Sequence, residues 1–194
     1  MKKIAIAAIL LLFAVGVQAQ NNMQNKAQNQ ALKNEELAKI RKLYANTKTM
    51  LEKGDPENPP EMPLNITTVN SHYIAPGAGE IKEEINYYYH NGHDEDTGEP
   101  YYFLYFISRK YVRTISTYYE EFLYDDDLNL VFYFCQKVTD TGKETVKEET
   151  RYYWGKDGLI TEIIKGGREM DDVFTQRLAY DLKEGFNRLL NREY

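Results

Sequence analysis

The run YYFLYFIS, residues 101–108, decides the fold. Successive side chains on a strand point to opposite faces. The odd positions here are Tyr101, Phe103, Tyr105 and Ile107; the even positions are Tyr102, Leu104 and Phe106. Both sets are apolar. A strand of that kind is central and covered on both sides, or it lines a concavity.

The period of two persists from residue 64 to residue 164, with turn signals between the runs. Residues 64–74 pair with 80–90 across APGAG. Residues 101–112 follow the turn at 91–100, and 114–124 follow after a bend near Arg113. DDDLN separates these from 130–138, TDTG from 145–154, and GKDG from 159–164. Consecutive strands joined by short turns form an antiparallel meander. The expected fold class is α+β: a curved sheet of about seven strands with two helices. Residues 145–154 alternate Lys147, Glu149 and Arg151 with Val146, Glu148, Thr150 and Tyr152, the pattern of a more exposed strand. Three segments echo one another: YYHNG from Tyr88, LYDDD from Leu123 and YWGKDG from Tyr153. Their spacing is not constant, so they read as ordinary hairpin ends rather than as a repeat.

Helical periodicity brackets the meander. Leu37, Ile40, Tyr44 and Leu51 recur at helical steps over residues 33–53, with Leu43 and Met50 beside them. Gly54 and the prolines at 56, 59, 60 and 63 then forbid helix, so residues 54–63 read as an extended linker. After Gly166-Gly167, Phe174, Leu178, Leu182, Phe186 and Leu189 form a stripe over residues 171–191, with Asp171 or Asp172 as the cap. Each amphipathic helix needs an apolar surface. Both are expected on one face of the sheet, giving a single domain over 33–194.

The first nineteen residues have the three parts of a cleavable signal peptide: Lys2-Lys3, an apolar run over 4–15, and Val17-Gln18-Ala19 before the cut. The apolar run is short for a span of about 20 residues, so no membrane span is expected in the mature chain. QNNMQNKAQNQA and Leu32, residues 20–32, read as a flexible polar leader. Cleavage would leave 22 basic against 30 acidic residues, a net charge of −8. Nucleic acid is then an unfavourable partner. A lone Cys135 allows no internal disulfide, and its apolar surroundings mark it as a buried, inert thiol. This export signal, polar leader and Tyr-rich meander together resemble the small exported proteins of Gram-negative bacteria. The resemblance implies a periplasmic or secreted location and assigns no site residue.

Of 17 tyrosines, 13 lie between Tyr87 and Tyr153. Tyrosine fits a pleated surface, and outward rings aligned across strands also suit sugars or a partner protein. The candidate contacts are Tyr88, Tyr102, Tyr119 and Trp154. The expected function is an exported, non-enzymatic binding protein for a glycan or protein partner. One alternative is a glycan hydrolase with Glu120 or Glu121 as an acid, since a carboxyl among aromatic rings can be held neutral. An edge position for these glutamates, or a salt bridge to Arg113 or Arg151, is the plainer expectation. A second alternative is an inhibitor of a secreted enzyme, presenting the loop at 90–99. That loop, HNGHDEDTGE, has two histidines among acids, but Asn, Asp and Gly also make ordinary turns. No metal or cofactor is expected: no phosphate-cradling glycine loop, H-E-x-x-H or G-x-S-x-G motif is present.

Overall fold

Seven strands follow one another in space in the order they occur in the chain, all antiparallel, in one open sheet. They are β1 (Asn65–Ala75), β2 (Gly79–His93), β3 (Pro100–Arg113), β4 (Ser116–Tyr124), β5 (Leu130–Asp140), β6 (Thr145–Gly155) and β7 (Gly158–Lys165). Helices α1 (Lys2–Lys53) and α2 (Asp172–Leu190) precede and follow them. In this computed structural model the described residues are 2–53, 64–77, 79–167 and 170–190, with side chains in α1 described over 26–52. The linker expected at 54–63 lies outside them.

The turn chemistry explains the strand ends. Asp94 accepts from the backbone of Asp96 and Thr97 at 3.0 and 2.8 Å, and Asp125 from that of Asp127 and Asn129 at 3.1 and 2.8 Å. Such side chain to backbone bonds stabilise a reversal before any tertiary contact forms. Gly158 sits at φ 103 in the tight β6–β7 hairpin, a region that favours glycine.

The chain divides into two compact units, Met1–Lys39 and Ile40–Tyr194. The first is helical. In place of a flexible leader over 20–32, the helix is continuous. Residues 17–53 contain no Gly or Pro and many Gln, Ala, Lys and Leu, which lose little on entering a helix. Lys39–Glu35 at 2.7 Å and Gln30–Asn34 at 3.1 Å add four-residue pairs along its surface. Among the described residues no helix is long and apolar enough to cross a membrane.

The second unit contains the sheet, α2 and residues 40–53 of α1, and here one expectation is corrected. The helical segments cover opposite faces of the sheet, not one. On the front face, Tyr87, Ile107, Phe122, Tyr133 and Tyr152 pack with Ala179, Leu182 and Phe186 of α2. On the back face, Phe106, Leu123, Phe132 and Tyr153 form the next register row, and residues 40–53 meet it. The Tyr44 ring lies 4.5 Å from Phe132, Arg41 is over Tyr153 at 5.5 Å, and Lys48 is over Phe106 at 5.8 Å. The physical reason was present in β3 and β4, whose two faces are both apolar; covering one alone would leave a large apolar surface in water.

The apolar stripe of α2 is also rotated from expectation. Thr175, Ala179, Leu182 and Phe186 are buried, while Val173 and Phe174 are exposed. Small residues at 175 and 179 allow close approach. Tyr124 thereby reaches the backbone and donates to the Ala179 carbonyl at 2.9 Å. Asp171 is the cap, accepting from the Phe174 N–H at 2.7 Å, and Thr175 satisfies its buried hydroxyl on the Asp171 carbonyl at 2.8 Å.

The three echoed segments have a structural meaning. The strand register shifts at Tyr88/Tyr89, Leu123/Tyr124 and Tyr153/Trp154. All three lie at the same end of the sheet. In each, the first residue faces the back and the second joins the front core beside α2. Bulges of this kind re-aim side chains and sharpen twist. The spacing varies because the intervening strands differ in length.

Candidate functional site

Glu120 and Glu121 are consecutive on β4, so they lie on opposite faces. Both are buried, at 0% and 2% exposure. Burying a carboxyl is costly unless it is paired, and each has its own set of partners. On the front, Glu120 accepts from Arg109 Nη1 at 2.9 Å and from the Tyr133 hydroxyl at 2.8 Å. Arg109 also donates through Nε to Glu83 at 2.5 Å, and its guanidinium lies over the Tyr111 ring at 4.4 Å. Tyr111 stacks on Tyr118, 4.6 Å between centroids. Burial pushes the Glu120 carboxyl up, and Arg109 and Tyr133 pull it partly back. Burial also works against the Arg109 charge, and Glu120 and Glu83 more than offset it.

On the back, Glu121 accepts from the Tyr44 hydroxyl at 2.5 Å, Lys48 Nζ at 2.8 Å and the Tyr119 hydroxyl at 2.7 Å. Two of these donors come from α1. Burial, then the Glu121 carboxylate, hold both tyrosine hydroxyls protonated well above their ordinary range. The salt bridges are therefore not those expected. Arg113 opposes Ser116, and Arg151 pairs with Glu149 at 3.1 Å and lies over Phe134 at 5.1 Å. Arg109 and Lys48 take their places. Arg109 was legible in principle, lying opposite Glu120 once the β3–β4 turn is set at Thr114-Ile115.

The four candidate aromatic contacts do not share a surface. Tyr102 faces the front with Tyr89, 5.9 Å away. Trp154 is 5% exposed, inside the front core. Tyr88 and Tyr119 are half-buried on the back. Beside residues 40–53, toward the β3–β4 turn, the back face carries two register rows. The first contains Asn86, Ser108, Glu121, Phe134 and Arg151; the second contains Lys110, Tyr119, Gln136 and Glu149. Phe134, Gln136 and Arg151 are half-buried there, like Tyr119. Tyr119 and Phe134 meet edge to face at 6.5 Å. Thr68 and Ser108 join Asn86 at 2.7 and 3.5 Å. Rings thus stand beside amides and a guanidinium on one surface.

The remaining candidates have structural roles. His90 and His93 lie on β2 three residues apart, on opposite faces, and His90 stacks on Tyr105 at 5.1 Å. Asp94 is engaged by its own turn. Among the described residues no group of three or more His, Cys, Asp or Glu gathers as metal ligands would. Cys135 is buried opposite Glu120 in the sheet. No family model, curated protein or solved structure matches this chain.

Proposed function

We propose that this is an exported, non-enzymatic binding protein that recognises a neutral glycan on the back face of its sheet. The observation that carries the reading is the half-exposed surface of Tyr119 and Phe134, with Tyr88 nearby, set beside Asn86, Gln136 and Arg151. Sugar rings offer apolar C–H faces and equatorial hydroxyls. Flat rings suit the first, and planar amides and guanidinium suit the second. The excess of acid over base, 30 against 24 residues, disfavours polyanionic sugars. Export rests on the three-part leader at residues 1–19.

The hydrolase reading is weaker on geometric grounds. Glu120 and Glu121 point to opposite sides of the sheet and cannot flank one glycosidic bond. Glu83 shares Arg109 with Glu120, but Glu120 has no exposed surface for a substrate to reach.

Binding to immobilised neutral glycans tests the proposal. Tyr119→Ala is expected to weaken binding about tenfold, and Tyr119→Phe, which keeps the ring, much less. Tyr88→Ala is expected to act in the same direction. No glycan bound, or equal binding by Tyr119→Ala and wild type, would overturn it.

A further inference from the structure

The sheet is open, so it has two edges, and they differ. β7, GLITEIIK, is eight residues long and carries Glu162 and Lys165. Charges on an edge oppose pairing with another chain. β1, NITTVNSHYIA, is eleven residues long and contains no Asp, Glu, Lys, Arg or Pro. All eleven residues pair with β2 on one side, and among the described residues no strand pairs with the other side. This is a long template of backbone donors and acceptors without Asp, Glu, Lys or Arg in an otherwise acidic protein, and its His72 is held by Glu80 of β2.

Its exposed side chains say what fits. Ile66 is 56% exposed and Ile74 is 82% exposed. Both lie on the back face, opposite Tyr88 and Glu80 of β2. They are equally spaced about Asn70. In an antiparallel pairing of β1 with a copy of itself, centred on Asn70, each Ile66 stands directly across from Ile74 of the other copy. Thr68 then meets His72, Val69 meets Ser71 and Thr67 meets Tyr73. An isologous contact of this kind requires such self-complementarity, and β1 has it in one register. Cross-strand apolar and β-branched pairs are the units that stabilise a sheet. No Asp, Glu, Lys or Arg of one β1 meets its like across such a seam.

We infer that the occupant of this edge is a second copy of the chain, joined β1 to β1 into a continuous fourteen-stranded antiparallel sheet. The inference does not depend on the glycan reading, and its test uses no sugar. Sedimentation over a range of protein concentrations is expected to show a reversible dimer. Ile66→Lys/Ile74→Lys sets lysine against lysine twice across the two-fold axis. It is expected to raise the dissociation constant at least about tenfold. Ile66→Lys/Ile74→Glu places opposite charges face to face in this register and is expected to restore the dimer. Both positions are exposed, so neither variant removes core packing. Asn70→Cys, on the axis, is expected to form an intermolecular disulfide under oxidation, because facing residues of antiparallel strands lie at bridgeable distance. Thr68→Cys, which faces His72 of the other copy, is not. A wild-type monomer at every concentration would overturn the inference. So would failure of the Lys/Glu variant to recover, or equal cross-linking at positions 68 and 70.

Discussion

Glu120 and Glu121 share a strand, a residue type and near-complete burial, yet they hold different parts of the molecule. Glu120 belongs to a network inside the sheet. Its partners, Arg109 and Tyr133, are on the two strands that flank β4, and Glu83 is one strand further. Glu121 reaches out of the sheet. Tyr44 and Lys48 lie 77 and 73 residues away in the chain, and their bonds fasten residues 40–53 to the back face. One glutamate ties strand to strand, and its neighbour ties helix to sheet. A carboxyl's role thus follows from the face it occupies more than from its place in the chain.

The comparison breaks most sharply at Arg109. Arg109→Met leaves Glu120 buried without its cation, and the expected loss is about 3–5 kcal/mol in denaturant unfolding. The whole sheet is expected to lose hydrogen-exchange protection together. A loss below about 1 kcal/mol would show that the Glu120 network contributes little.

Glu121→Gln is expected to cost less, roughly 1–3 kcal/mol, because it removes charge-assisted bonds to Lys48 and two hydroxyls but keeps the shape. Its signature is local. Exchange should quicken in residues 40–53 and not at the front-face contacts of α2. Equal loss of protection at both helices would mean that the two faces are not separately fastened.

The smallest effect concerns pH. The Glu120 carboxyl is raised above its ordinary value of 4.5, with burial the main cause. The native state therefore keeps a proton that the unfolded chain releases. The stability from this group is full below about 4.5 and is lost as pH rises through the folded-state value. Glu120→Gln, which cannot ionise, should flatten that decline in melting temperature. An unchanged slope in Glu120→Gln would remove Glu120 from the pH dependence.

The strands were readable because strand signals are local. Period-two alternation, GKDG and DDDLN place each hairpin within a few residues, and the prolines after Gly54 end the first helix without reference to anything distant. The apolar character of both faces of YYFLYFIS even implied cover on two sides. Two helices on one face would leave the other uncovered. The candidate site was less legible. Trp154 is parted from Tyr88 and Tyr119 by plain alternation along β6, but Tyr102 points to the front only because β3 carries one extra residue, Tyr105, between Phe106 and Leu104.

What the sequence determined by itself is the set of elements and their antiparallel order, because turns and side-chain alternation act over a few residues. The tertiary structure decided which helix covers which face, which cation meets which glutamate, and which rings share a surface. Those outcomes depend on strand register, on the residues skipped at three bulges, and on contacts spanning more than seventy positions. No local pattern carries that information.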